Sequence, residues 1–141
     1  MPAPDFLDTN VLVYAYDSSE PVKRAIAQKL VLKALNGEMV ISAQVLAEFA
    51  ATLLHKISPA ARPEDVKTIL DVLTPIKFVA PDVDLIRRAV DARKEYGVHL
   101  YDGMILAAAE RAGCGSIWSE DLNAGQLYFG IKVVNPFTDR N

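Results

Sequence analysis

Chemistry that depends on sulfur or imidazole has little to work with in this sequence. One cysteine, Cys114, stands among 141 residues; it excludes an internal disulfide framework, fits a reducing cytosol, and is expected to be a small buried apolar residue. The two histidines, His55 and His99, have no ligand-like spacing to each other. Histidine general-base chemistry is therefore poorly supported, and so is zinc, which needs a Cys/His set. Long apolar runs are also missing: 51% of the residues are apolar, but charges break every run short of the 18 or more needed to cross a bilayer. The opening Met1-Pro2-Ala3-Pro4-Asp5 has neither a basic segment nor an apolar one after it, which argues against export and for a cytoplasmic protein. Positive charge is not in excess, since the net charge is −3. If four acids belong to a metal site the rest of the chain carries +1, so charge is neutral on the question of a nucleic-acid partner.

What is present amounts to one domain, residues 1–141. A chain near 150 residues buries about 68 to 70% of the surface its unfolded form exposes, enough for one core. The pattern predicts strands over 4–8, 38–42, 76–80, 115–119 and 131–134, and helices over 11–16, 21–36, 43–57, 63–73, 83–96 and 101–113. Gly37 suits a helix C-cap, Ser42 an N-cap and Pro63 a first helical position. Strands alternating with helices point to a parallel sheet covered on both faces, a three-layer α/β sandwich. Functional groups then gather at the carboxyl ends of the strands, where strand order reverses.

Four acids stand where such elements end or begin: Asp8, Glu48, Asp102 and Asp121. Gathered in one pocket they would repel strongly, because two unit charges about 4 Å apart cost about 4 kcal/mol even at an effective dielectric of about 20. A divalent cation is what makes such a cluster tolerable. Each acid also has a plainer explanation. Asp8 follows the apolar Phe6-Leu7 and could simply cap the next helix. Glu48 falls off the centre of the face formed by Val45, Leu46, Phe49, Leu53 and Ile57, which suits a cleft ligand or an ordinary surface residue equally. Asp102 is favoured at a helix start by the macrodipole, yet the segment after it, Met104 to Ala109, is apolar almost all round and belongs in the core. An unpaired charge beside it would be expensive. Asp121 follows Ile117-Trp118-Ser119-Glu120 and could belong to a polar turn, with Glu120 the weaker alternative. Thr9, Asn10 and Ser119 suit hydrogen bonds that orient a ligating carboxylate. Trp118 reads as core. The basic pairs Lys23/Arg24, His55/Lys56, Arg87/Arg88 and Arg93/Lys94 read mainly as solvated helix faces, with phosphate contact as the other role.

Taken together, Phe6-Leu7-Asp8-Thr9-Asn10-Val11-Leu12-Val13-Tyr14-Ala15, Glu48, Tyr101-Asp102-Gly103-Met104-Ile105, Ser119-Glu120-Asp121-Leu122-Asn123 and the tail Gly130 to Phe137 resemble the PIN-domain ribonucleases. Within them the likeness is to the VapC-type toxins of toxin–antitoxin modules. It covers essentially the whole chain. The resemblance implies a five-stranded parallel sheet of order 3-2-1-4-5, which sets strands one and four side by side. It also implies an antitoxin partner and a homodimer. Ala124-Gly125 departs slightly from the bulkier residue common before that glycine.

The expected activity is hydrolysis of RNA phosphodiester bonds with one or two Mg²⁺, or Mn²⁺, held by Asp8, Glu48, Asp102 and Asp121; oxygen-only ligands favour these ions. Two other classes stay open. One is a PIN-like module that binds RNA or a partner without cutting. The other is a receiver-like, Mg²⁺-binding signalling domain, although the third strand ends at Val79-Ala80-Pro81 without an acceptor aspartate, and Lys132 lies inside the last strand.

Overall fold

The computed structural model describes residues 2–138; Met1 and residues 139–141, the ends of the expected domain, lie outside them. Asp5–Leu7 forms strand β1, and helix α1 follows over Thr9–Tyr14. This helix starts two residues earlier than the sequence pattern suggests, because the Asp8 carboxylate accepts the Thr9 backbone N–H at 2.7 Å and nucleates the turn at once. Helix α2 spans Pro21–Leu35, strand β2 Met39–Ser42 and helix α3 Ala43–His55. Ser42 Oγ caps α3 by accepting the Val45 N–H at 3.1 Å. Helix α4 covers Pro63–Leu73, with Pro63 in its first turn. Strand β3 is Lys77–Val79, and helices α5 and α6 are Val83–Tyr96 and Leu100–Arg111. Strand β4 is Ser116–Trp118, and β5 (Leu127–Tyr128) and β6 (Ile131–Val134) follow.

The sheet runs β3-β2-β1-β4-β6-β5. All pairings are parallel except β5 with β6. The expected order of five parallel strands is therefore present, the fifth being β6, but the strand count of five is corrected to six. The extra strand is a two-residue antiparallel edge, too short to show alternation in sequence. Its turn places Phe129 at φ 51° and Gly130 at φ 78°. Tyr96 and Arg88 hold it: Tyr96 Oη accepts the Phe129 N–H at 2.8 Å, and the Arg88 guanidinium lies 3.7 Å from the Phe129 ring centre.

From β1 the chain builds outward through β2 to β3, then returns to lay β4 on the other side of β1. This reversal puts the two central strands side by side in register, Leu7 opposite Trp118, so their next residues leave the sheet together. Phe6, Leu7, Ile41, Phe49, Leu106 and Ile117 are fully buried in the core beneath that point. Helix α6 contributes Gly103 and the run Ile105 to Ala109 to the core, as its apolar character requires. Cys114 is buried, and burial pushes its thiol up to about 12. No helix among the described residues is long and apolar enough to cross a membrane.

Candidate active site

Asp8 leaves β1 where its backbone N–H is held by the Trp118 carbonyl at 3.0 Å, which fixes it beside the exit of β4. Only 7% of it is exposed. Its two oxygens are separately used: Oδ1 caps α1, and Oδ2 accepts the Ser119 hydroxyl at 2.8 Å. The capping explanation of this residue therefore holds. Burial pushes its carboxyl up to about 6; the Ser119 and Thr9 hydrogen bonds pull it down, and the charges of Asp121 and Asp102 push it further up. Ser119 Oγ in turn accepts the backbone N–H groups of Asp121 and Leu122 at 3.2 and 3.3 Å, which shapes the turn carrying Asp121.

Asn10 ties the two strand ends together. Its amide nitrogen lies 3.1 Å from Asp121 Oδ2 and 3.4 Å from both Asp8 Oδ2 and Ser119 Oγ, while its oxygen accepts the Glu120 N–H at 3.0 Å. Glu48 projects from the second turn of α3, where Thr9 Oγ1 donates to its Oε1 at 2.9 Å and Gln44 Nε2 to its Oε2 at 3.2 Å. Gln44 also donates to the Tyr101 carbonyl at 3.0 Å, which links α3 to the first turn of α6. Asp102 sits in that turn. Burial and the charges of Asp121 and Glu48 raise its pKa, against the opposing pull of His99.

Thr9, Asn10, Glu48, Asp102 and Asp121 line one open cleft of about 600 Å³; buried Asp8 is not part of the lining but is hydrogen-bonded to Thr9 and Asn10, which are. None of the four acids pairs with a Lys or Arg among the described residues. As placed, no three of them converge closely enough to coordinate one ion. A shared ion would have to draw them together against their mutual repulsion. The chemistry of the set still fits a hard divalent cation: the four groups are all carboxylate oxygen donors, and none is ion-paired to Lys or Arg among the described residues.

Glu120 has a different fate. Its carboxylate accepts Tyr14 Oη at 2.7 Å and Lys23 Nζ at 2.6 Å. Burial pushes its pKa up, but the Lys23 and Tyr14 hydrogen bonds and the Lys23 charge outweigh it and the net shift is downward. Lys23 is thus a structural tie and not a solvated base, and it also lies 4.8 Å from the Tyr14 ring centre. The contacts that Gln44, Tyr14 and Lys23 make with Glu48 and Glu120 escape sequence reasoning. Only Gln44 leaves a signal there, four residues before Glu48 on the same helix face.

Residues 6–130 match the PIN domain family. The chain belongs to the PIN domain family. Solved structures share the fold of this PIN domain. A chain of a toxin–antitoxin complex from Klebsiella pneumoniae superposes with a TM-score of 0.71 at 21% identity, over 94% of this chain and 98% of that one. VapC20 of Mycobacterium tuberculosis, described as a sarcin-ricin loop cleaving toxin, gives 0.67 at 16% identity, over 83% and 91%. A chain of VapBC2 from Rickettsia felis, bound to a DNA fragment from its promoter, gives 0.58 at 22%, over 83% and 86%. Comparison with curated proteins gives no match.

Proposed function

We propose that this PIN-domain protein is a metal-dependent ribonuclease that hydrolyses RNA phosphodiester bonds and serves as the toxin of a toxin–antitoxin pair. The observation that carries the proposal is the cleft itself, lined by Glu48, Asp102 and Asp121, with buried Asp8 tied to its wall through Thr9 and Asn10 and none of the four acids ion-paired to Lys or Arg among the described residues. Those four would hold Mg²⁺ or Mn²⁺. Such an ion, when bound, supplies Lewis acidity toward water and toward a phosphoryl oxygen. The chain's own residues do the rest. Asn10 and Ser119 aim Asp8 and Asp121, Thr9 and Gln44 aim Glu48, and the open side of the cleft admits a strand.

The toxin role draws support from the fold neighbours, among them a toxin–antitoxin complex and a toxin that cleaves the sarcin-ricin loop. An antitoxin would act by covering the cleft. A second copy of the chain would form the homodimer, and exposed Val83, Ile86 and Val90, three and four residues apart on α5, offer one apolar stripe for it. The cytoplasm is the compartment in which such a pair would work.

The test is cleavage of a panel of single-stranded and structured RNAs with Mg²⁺ or Mn²⁺, beside an EDTA control and the Asp8→Asn variant. Asn keeps the oxygen that caps α1 but removes the charge. Metal-dependent cutting that disappears in Asp8→Asn, with the circular dichroism unchanged, is the expected result; cutting retained by the variant would sink the assignment.

A further inference from the structure

A polyanion entering a cleft walled by carboxylates needs cations beyond any ion held at the reacting phosphate. Among the described residues one basic side chain lines this cleft, Lys56. The other basic residues singled out in the sequence are largely occupied: Lys23 by Glu120, Arg87 by Asp84, Arg88 by Glu110 and Arg93 by the Gly97 carbonyl. Lys56 has no ion pair and no side-chain hydrogen bond among the described residues. Its acidic neighbours in the lining are turned elsewhere. Both Glu48 oxygens accept from Thr9 and Gln44, and Asp17 Oδ1 accepts the Ser19 N–H and hydroxyl at 3.0 and 2.6 Å. An exposed ammonium left free beside such acids is available to a ligand that carries its own negative charge.

The position of Lys56 at the C-terminal end of α3 gives it a defined role. Glu48 and Lys56 are eight residues apart, about 12 Å along the helix axis. At about 3.4 Å per nucleotide along a stacked strand, that is about three to four nucleotides. Gln44, at the other end of α3, is tied to Tyr101 beside Asp102. A strand laid along α3 would therefore pass the acids first and reach Lys56 a few nucleotides on. Resting on the ribonuclease assignment, we propose that Lys56 contacts a backbone phosphate of the substrate RNA about three to four nucleotides from the bond cut, so that it sets affinity for the strand and not the rate of the chemical step. The contact is with phosphate and carries no sequence preference.

The experiment is binding of a labelled single-stranded RNA oligonucleotide, followed by fluorescence anisotropy at several salt concentrations with Mg²⁺ present, in the Asp8→Asn background so that nothing is cut. Lys56→Gln is compared with Lys56→Arg and with Lys132→Gln, whose lysine is exposed on β6 outside the cleft. Lys56→Gln is expected to weaken binding about threefold to tenfold and to make the slope of log affinity against log salt shallower by about 0.7, the share of one phosphate contact in a single strand. Lys56→Arg should restore both, and Lys132→Gln should change neither. With Asp8 in place, Lys56→Gln should raise KM and leave kcat alone. Normal RNA binding by the parent with the same affinity and slope in Lys56→Gln overturns the inference and leaves the ribonuclease assignment standing; so does an equal loss in Lys132→Gln, or a fall in kcat at unchanged KM. A parent protein that neither binds nor cuts RNA overturns the assignment, and the role of Lys56 with it.

Discussion

Asn10 does at residue scale what the sheet does at molecular scale: it joins the ends of β1 and β4. One amide shares its hydrogens among Asp8, Ser119 and Asp121 and returns its oxygen to the Glu120 backbone. Asn10→Ala would leave Asp8 and Asp121 facing each other without that bridge. Groups that orient ligating carboxylates are worth about 10- to 100-fold in metal affinity or activity, so single-turnover cleavage by Asn10→Ala should fall by about that factor, and a Mn²⁺ titration should show weaker binding. Ser119→Ala should behave similarly, because it removes from buried Asp8 the hydrogen bond that most offsets burial. The neighbouring acids separate in the opposite sense. Glu120 is engaged by Lys23 and Tyr14, so Glu120→Gln should keep cleavage where Asp121→Asn loses it. The reverse pattern would mean that Glu120, and not Asp121, serves the site.

Elements carry those residues, and two helices approach closely beside one of them. A Cβ built on Gly103 would stand 2.7 Å from the Ala89 backbone oxygen, so α6 meets α5 at backbone distance one residue after Asp102. Gly103→Ala cannot be absorbed by a flexible side chain and must push the helices apart. Overpacking of this kind costs about 1 to 3 kcal/mol; urea unfolding should show it, together with reduced cleavage as Asp102 moves. The elements are also what the sequence displays most clearly. Pro63, Ser42 and the apolar run of α6 stand where their chemistry suggests; Asp8 and Asp102 are visible because each lies at an element end, and Asp121 because it stands in the turn three residues past β4. Glu48 is not separable from a surface residue in sequence, since its role depends on Thr9, 39 residues away. The Lys23–Glu120 tie spans 97 residues and leaves no local trace. Strand β5 escapes because two residues between Gln126 and Phe129 carry no period; tertiary contacts from Tyr96 and Arg88 create it.

The whole molecule holds a buried carboxylate that its own fold disfavours, and this shapes stability against pH. Asp8 is raised from 3.8 to about 6, so the folded protein binds a proton more tightly than the unfolded chain does. Stability from this group is therefore present at low pH, falls as pH rises from about 4 to about 6, and stays low above that. At about 1.4 kcal/mol per pKa unit, the penalty at neutral pH is on the order of 3 kcal/mol for the metal-free protein. Asp102, raised by burial first, acts in the same direction. Glu120, Asp65 and Asp82 are lowered, so their contributions are lost on acidification and run against that of Asp8. The total curve mixes these, but the difference between parent and Asp8→Asn isolates Asp8. In EDTA, Asp8→Asn should be about as stable as the parent near pH 4 and more stable by a few kcal/mol at pH 7.5, read from urea unfolding. An ion that binds only the folded state adds about 2.7 kcal/mol at a hundred times its Kd. Mn²⁺ at about a hundred times its Kd at pH 7.5 should accordingly bring the parent about level with Asp8→Asn in stability, while Asp8→Asn itself stays nearly unmoved. If the two proteins kept the same stability difference at every pH and with or without Mn²⁺, Asp8 would be neither the perturbed carboxyl nor a ligand, and the cleft would need another centre.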